Sequence, residues 1–164
     1  SRTLWYDENY NQNPGSPAPI PFDPTDGTKQ EVKSKVVGEV ADRHSVPIIT
    51  GGGTILVTVT AAGLPNSPKT FPVAVAIGDT PSMVASKVAN VLSNDGDISS
   101  FFKVRSKSED IHLITLDRAA NDPTMNIALA VGTCVGMIAT PISTYHIAGK
   151  APGLHPLPGD EEFD

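Results

Sequence analysis

The residues able to do chemistry are few and scattered. His44, His112, His146 and His155 are dispersed, with no His-x-x-x-His pair and no cysteine beside them, so their spacing points away from a metal site. His112, set between Ile111 and Leu113, reads as a strand residue on the less buried face. Cys134 is the one cysteine, which excludes an intrachain disulfide. It lies in an apolar run, residues 128–138, with no His or basic neighbour, and reads as a buried small hydrophobe rather than a reactive thiol.

Asn94-Asp95-Gly96-Asp97 has the opening of a calcium loop but lacks the further carboxylates and the closing Glu, so it reads as a capped helix end. Asp95 and Asp97 are nonetheless where a cation shared between subunits would be sought. Gly51-Gly52-Gly53 lacks a following Gly-Lys-Ser/Thr and precedes a strand, which makes it a hinge or linker rather than a nucleotide loop. No Gly-x-Ser-x-Gly elbow and no Ser/His/Asp grouping occurs, and Asp42-Arg43 and Asp117-Arg118 read as surface pairs. No catalytic, metal or cofactor-binding residue is assigned, no cofactor is expected, and a non-enzymatic role follows.

The elements around these residues are strand-rich. The 164 residues suit one ordinary domain, and Gly (14) with Pro (15) makes turns and extended segments a large share of it. Ile55, Val57 and Val59 alternate with Leu56, Thr58 and Thr60 in a β-branched strand; Phe71, Val73, Val75 and Ile77 make a second, antiparallel to it, with Pro72 placing it at an edge or a strand start. Thr80 as N-cap, Pro81 at the first position and an apolar stripe of Val84, Ala85, Val88, Val91 and Leu92 predict a helix that ends before Gly96. Phe101, Phe102 and Val104 begin a third strand, residues 111–116 a fourth and central one, residues 125–131 a fifth, and residues 142–147 a sixth. Val32, Val36 and Val40 have helical spacing, but Val propensity and Gly38 favour a strand. The expected fold is α+β: a small, mainly antiparallel sheet in the order β-β-α-β-β-β with one packed helix, spanning residues 54–149.

Extended arms are expected on either side. Residues 1–50 form a Pro-rich N-terminal arm and linker, and residues 150–164 an acidic C-terminal arm ending Asp-Glu-Glu-Phe-Asp. Pro14, Pro17, Pro19, Pro21 and Pro24 hold residues 14–24 near polyproline II. The only Trp and two of the three Tyr, Trp5, Tyr6 and Tyr10, precede that spacer, and Ile20 and Phe22 lie within it. Aromatic rings gain nothing on a solvated tail and anchor interfaces well, so these five residues are the expected intersubunit contacts, with docking on the arm's own domain as the other reading.

A net charge of −6, with no concentrated basic run, argues against direct nucleic-acid binding. No signal-peptide pattern and no apolar run near 18 residues occurs, so no membrane span is expected. Ser1 at the start fits loss of an initiator Met or removal of a longer leader. Absence of any Asn-x-Ser/Thr site disfavours a glycosylated secreted protein.

Residues 54–149 carry a recurring pattern. It comprises a Thr/Val strand closed by Ala61-Ala62-Gly63, a Ser67-Pro68-Lys69 turn, a Val/Ala strand, a Val/Ala helix and a Phe101-Phe102 strand start. Asn121-Asp122-Pro123-Thr124-Met125-Asn126-Ile127 then precedes Gly132-Thr133-Cys134. This stretch, about three fifths of the chain, resembles a domain of structural proteins of tailed bacteriophages. The resemblance implies a virion component, a head decoration or tail protein, partnered by copies of itself and other structural proteins, and it transfers no active site. Two other classes fit the residues: a cell-surface or extracellular filament subunit whose arm completes a neighbour's sheet, and a small carbohydrate- or ligand-binding module. The second would place exposed aromatics inside the domain, whereas Trp5, Tyr6 and Tyr10 lie outside it.

Overall fold

The computed structural model describes residues 26–39 and 47–153. The compact unit is Gly27–Ala151, while Ser1–Asp26 and Pro152–Asp164 fall in a second unit. Along the chain the elements are β1 (Glu31–Lys35), β2 (Val37–Gly38), β3 (Gly53–Thr60), β4 (Lys69–Val75), α1 (Pro81–Ser93), α2 (Gly96–Phe101), β5 (Phe102–Lys107), β6 (Asp110–Thr115), β7 (Asn126–Val131), β8 (Met137–Ile138) and β9 (Thr144–Ile147). Three antiparallel sheets result, in the orders β5-β6-β1-β9, β4-β3-β7 and β2-β8. The fold is a small α+β domain with mainly antiparallel strands and α1 packed in its core, the class expected. The strands are divided among three sheets rather than gathered in one, and a second short helix, α2, follows the first.

Helix α1 starts where its cap residues dictate. The Thr80 hydroxyl accepts from the Met83 amide (3.2 Å), and Pro81 occupies a position whose N–H would have no partner in the helix. Val84, Ala85, Val88 and Leu92 are fully buried and Val91 partly so, a stripe that repeats every three or four residues. The stripe packs against β4 of one sheet and β5 and β6 of another. Ile55, Val57 and Val59 of β3, with Ile127 and Leu129 of β7, close the same core. At the end of α1, Asp95 caps a new helix: its carboxylate accepts from the Ile98 amide at 3.1 Å. Phe101 therefore ends α2 instead of opening a strand.

The expected domain boundary at residue 54 is displaced towards the N-terminus. β1 lies between β6 and β9, with Val32 opposite Leu113, and Val32 and Val36 belong to the core. Its polar residues concealed this: Glu31 and Ser34 are buried through partners distant in sequence. Nor is the triple glycine a hinge. Gly51 bridges Val135, Gly53 begins β3, and a Cβ on Gly53 would stand 2.4 Å from the Thr133 hydroxyl. Glycine is required there because residues 133–135 pack directly on the backbone.

Candidate functional site

The expected contact residues Trp5, Tyr6, Tyr10, Ile20 and Phe22 lie outside the described residues, as do His44 and His155. What the structure defines is the place where both arms join the domain. The Thr28 amide donates to the Lys150 carbonyl (2.8 Å), the Lys150 amide donates back (3.4 Å), and the Thr28 hydroxyl donates to the Ala148 carbonyl (2.9 Å). The chain thus enters and leaves the domain side by side.

Gln30 anchors this root. Its amide nitrogen donates to the Asp122 carbonyl (2.9 Å) while its side-chain oxygen accepts from the Asp122 amide (2.8 Å). The Gln30 backbone N–H donates to the Thr115 hydroxyl (2.9 Å), and the Thr115 N–H donates to the Gln30 carbonyl (2.9 Å). Gly149 passes so close that a Cβ would lie 2.9 Å from the Ala119 carbonyl. Sequence reasoning missed Gln30, since a lone glutamine before a strand carries no signal until its partner, 92 residues away, is known. The buried, bidentate clamp ties the residue just before β1 to the backbone of Asp122.

A cavity of about 280 Å³ opens beside the root, lined by Gln30, Ala62, Phe101, Asp117, Asp122 and Met125 among others. The Asp122 carboxylate accepts from the Ala62 amide (2.7 Å) and from the Thr124 amide and hydroxyl (2.9 and 2.6 Å). Burial pushes its pKa up, but these hydrogen bonds outweigh that and hold it below the ordinary carboxylate value. Gln30 and Asp122 are thus committed to the protein's own backbone, and the cavity shows no convergence of free acid, base and nucleophile.

The other reactive residues are engaged structurally. His112 is buried, against expectation, with Nδ1 2.6 Å from a Glu31 carboxylate oxygen. The two sit diagonally across the β1–β6 pair, where neighbouring strands shut out water. His146 belongs to β9. Asp95 and Asp97 grip the Lys69 ammonium at 3.0 and 2.8 Å, and Asn66 donates to Asp97 at 3.2 Å. The bonds from Asp97 and Asp95 push the Lys69 pKa up, and the bonds from Lys69 and Asn66 hold Asp97 low. This pair of carboxylates holds a lysine, tying the β3–β4 turn to the start of α2. Cys134 is buried, which raises its thiol pKa. Asp117 and Arg118 are exposed. Among the described residues no three His, Cys, Asp or Glu side chains are grouped to hold a metal ion, and no helix is long and apolar enough to cross a membrane.

One surface carries no charge. The outer face of the β4-β3-β7 sheet presents Thr54, Leu56 and Thr58, flanked by Thr70, Pro72 and Ala74 on one side and Ala128 and Ala130 on the other. Leu56, Pro72, Ala74 and Ala130 are exposed.

Compared with known proteins, the chain matches no family model, no curated protein and no solved structure.

Proposed function

We propose that this chain is a structural subunit of a virion, a head decoration or tail protein of a tailed bacteriophage. It assembles with copies of itself and with other structural proteins of the particle through its terminal arms. One observation carries the reading: the two ends of the described domain are held side by side by the Thr28–Lys150 bridge, braced by Gln30, which would root both terminal segments at one place on the domain. The N-terminal segment carries the chain's only Trp and a polyproline-like spacer, a composition suited to anchoring on a neighbour rather than to a free tail. The uncharged outer face of the β4-β3-β7 sheet offers a second surface for burial. The resemblance of residues 54–149 to tailed-phage structural domains points the same way. A net charge of −6 argues against direct contact with packaged nucleic acid.

The test is electron microscopy of the full chain at high concentration beside a variant lacking residues 2–24. The full chain should form closed rings, tubes or a lattice of repeating copies, and the truncated chain should stay folded and monomeric. Thin single-file fibres would favour a cell-surface filament. Normal assembly of the truncated chain would overturn the role of the arm.

A further inference from the structure

Among the described residues the two larger sheets, β5-β6-β1-β9 and β4-β3-β7, have four edge strands, and three of them are guarded. An unpaired edge is a template for another strand, and folded proteins protect it with proline, charge or a covering segment. β4 carries Lys69 and Pro72, and proline removes a donor. β5 presents Lys103, Arg105 and Lys107. β7 is covered by residues 140–143: Leu129 and Thr140 exchange backbone bonds at 3.0 and 2.8 Å, and the Asn126 side chain bonds Pro141 and Ser143. β9 is the exception. It reads Thr-Tyr-His-Ile, with no charge, proline or glycine, and pairs with β1 on one side alone among the described residues. Tyr145 and Ile147 are 45% and 46% exposed, and Ile142 just before them is 76% exposed.

We propose that β9 receives the first 13 residues of a second copy of this chain as an added antiparallel or parallel strand. This inference rests on the reading that the arms assemble copies of the chain. Residues 1–13 contain no proline, in contrast to residues 14–24, so every backbone N–H there is free to enter a ladder. Trp5, Tyr6 and Tyr10 favour strand conformation; in a strand Tyr6 and Tyr10, four residues apart, would share one face, where they could cover the exposed Tyr145 and Ile147. The geometry favours a second copy over self-pairing. The arm's root at Thr28 bridges Lys150, three residues beyond the end of β9. In the polyproline II conformation that their prolines favour, residues 14–24 would extend about 30 Å, whereas the four residues of β9 span only about 13 Å. A spacer of that length would let the strand-forming segment reach beyond the short edge of its own β9 to that of a neighbour.

Hydrogen exchange of the full chain, read by mass spectrometry in dilute and assembled samples whose masses are checked by sedimentation, tests this. Amides of residues 144–147 and 2–13 should slow together on assembly, by about tenfold or more, while the guarded edge of β4 stays unchanged. Ile147→Lys, which places a charge on the receiving edge, should prevent that slowing and weaken assembly with the circular dichroism spectrum intact. Assembly that requires the arm but leaves residues 144–147 exchanging as before overturns the β9 inference and spares the role of the arm. Protection that is equal at every concentration means self-pairing and overturns the second-copy claim. A chain that stays monomeric at every concentration overturns both.

Discussion

Replacing Val88 by alanine isolates the packing of α1 on the sheets. Val88 is fully buried in the stripe with Val84, Ala85 and Leu92. Removing its two methyl groups loses about 1.6 kcal/mol of transfer free energy at ~0.8 kcal/mol per group. A residual cavity of roughly 40 Å³ adds about 1 kcal/mol at ~24 cal/mol per Å³. The sum, about 2–3 kcal/mol, is a large part of a domain stability of about 5–15 kcal/mol and should lower the melting temperature by about 8–12 °C. Ser86→Ala on the exposed side of the same helix is the control, expected to change stability by no more than about 0.5 kcal/mol because alanine is the better helix former. Val88→Asp would bury a carboxylate at a cost of several kcal/mol, enough to prevent folding. Urea unfolding followed by circular dichroism is the suitable assay, because the only Trp, Trp5, lies outside the described core. Equal stability of Val88→Ala and Ser86→Ala would refute the packing argument.

Two further predictions concern the backbone and pH. Gly136 has φ +115°, and a Cβ there would collide with the Ile48 carbonyl, so Gly136→Ala should fail to fold or melt far below the parent; Gly96→Ala, with open space at the start of α2, should melt at or above it. For Asp79, burial raises the pKa, but the Ala76 amide and the Lys87 ammonium (2.5 Å) outweigh it and leave the value below 3.8. A depressed folded-state pKa contributes stability that is complete above 3.8 and lost as pH falls through the lower value. Asp79→Asn should therefore lower stability at neutral pH and flatten its acid limb, as measured by urea titrations; an unchanged acid limb would contradict the assignment.

Local signals made part of this fold legible. Thr80 and Pro81 with the Val stripe marked α1 at its observed bounds, Pro72 marked the edge strand β4, and the two-sided apolar pattern of residues 111–116 marked β6 as central. What escaped depended on partners far along the chain. Val32 and Val36 suggested a strand, but it read as part of the N-terminal linker because its partners are far along the chain: Glu31 meets His112 and Ser34 meets Thr140, 81 and 106 residues away. The triple glycine looked flexible because its neighbours, residues 133–135, are distant in sequence. Division into three sheets is a matter of register and curvature, which alternation within one strand does not encode. The arms' composition was readable, while their shared root needed the Thr28–Lys150 bridge.

The central claim, that the N-terminal arm docks on another copy, is tested most directly by Trp5 fluorescence as a function of protein concentration. Since Trp5 is the only tryptophan, its emission reports the arm alone. Docking between copies predicts solvent-exposed emission in dilute monomer and a blue shift that rises together with sedimenting mass, as the indole enters an apolar contact. Emission that stays constant while the mass rises, or that is already blue-shifted in the monomer, would contradict it.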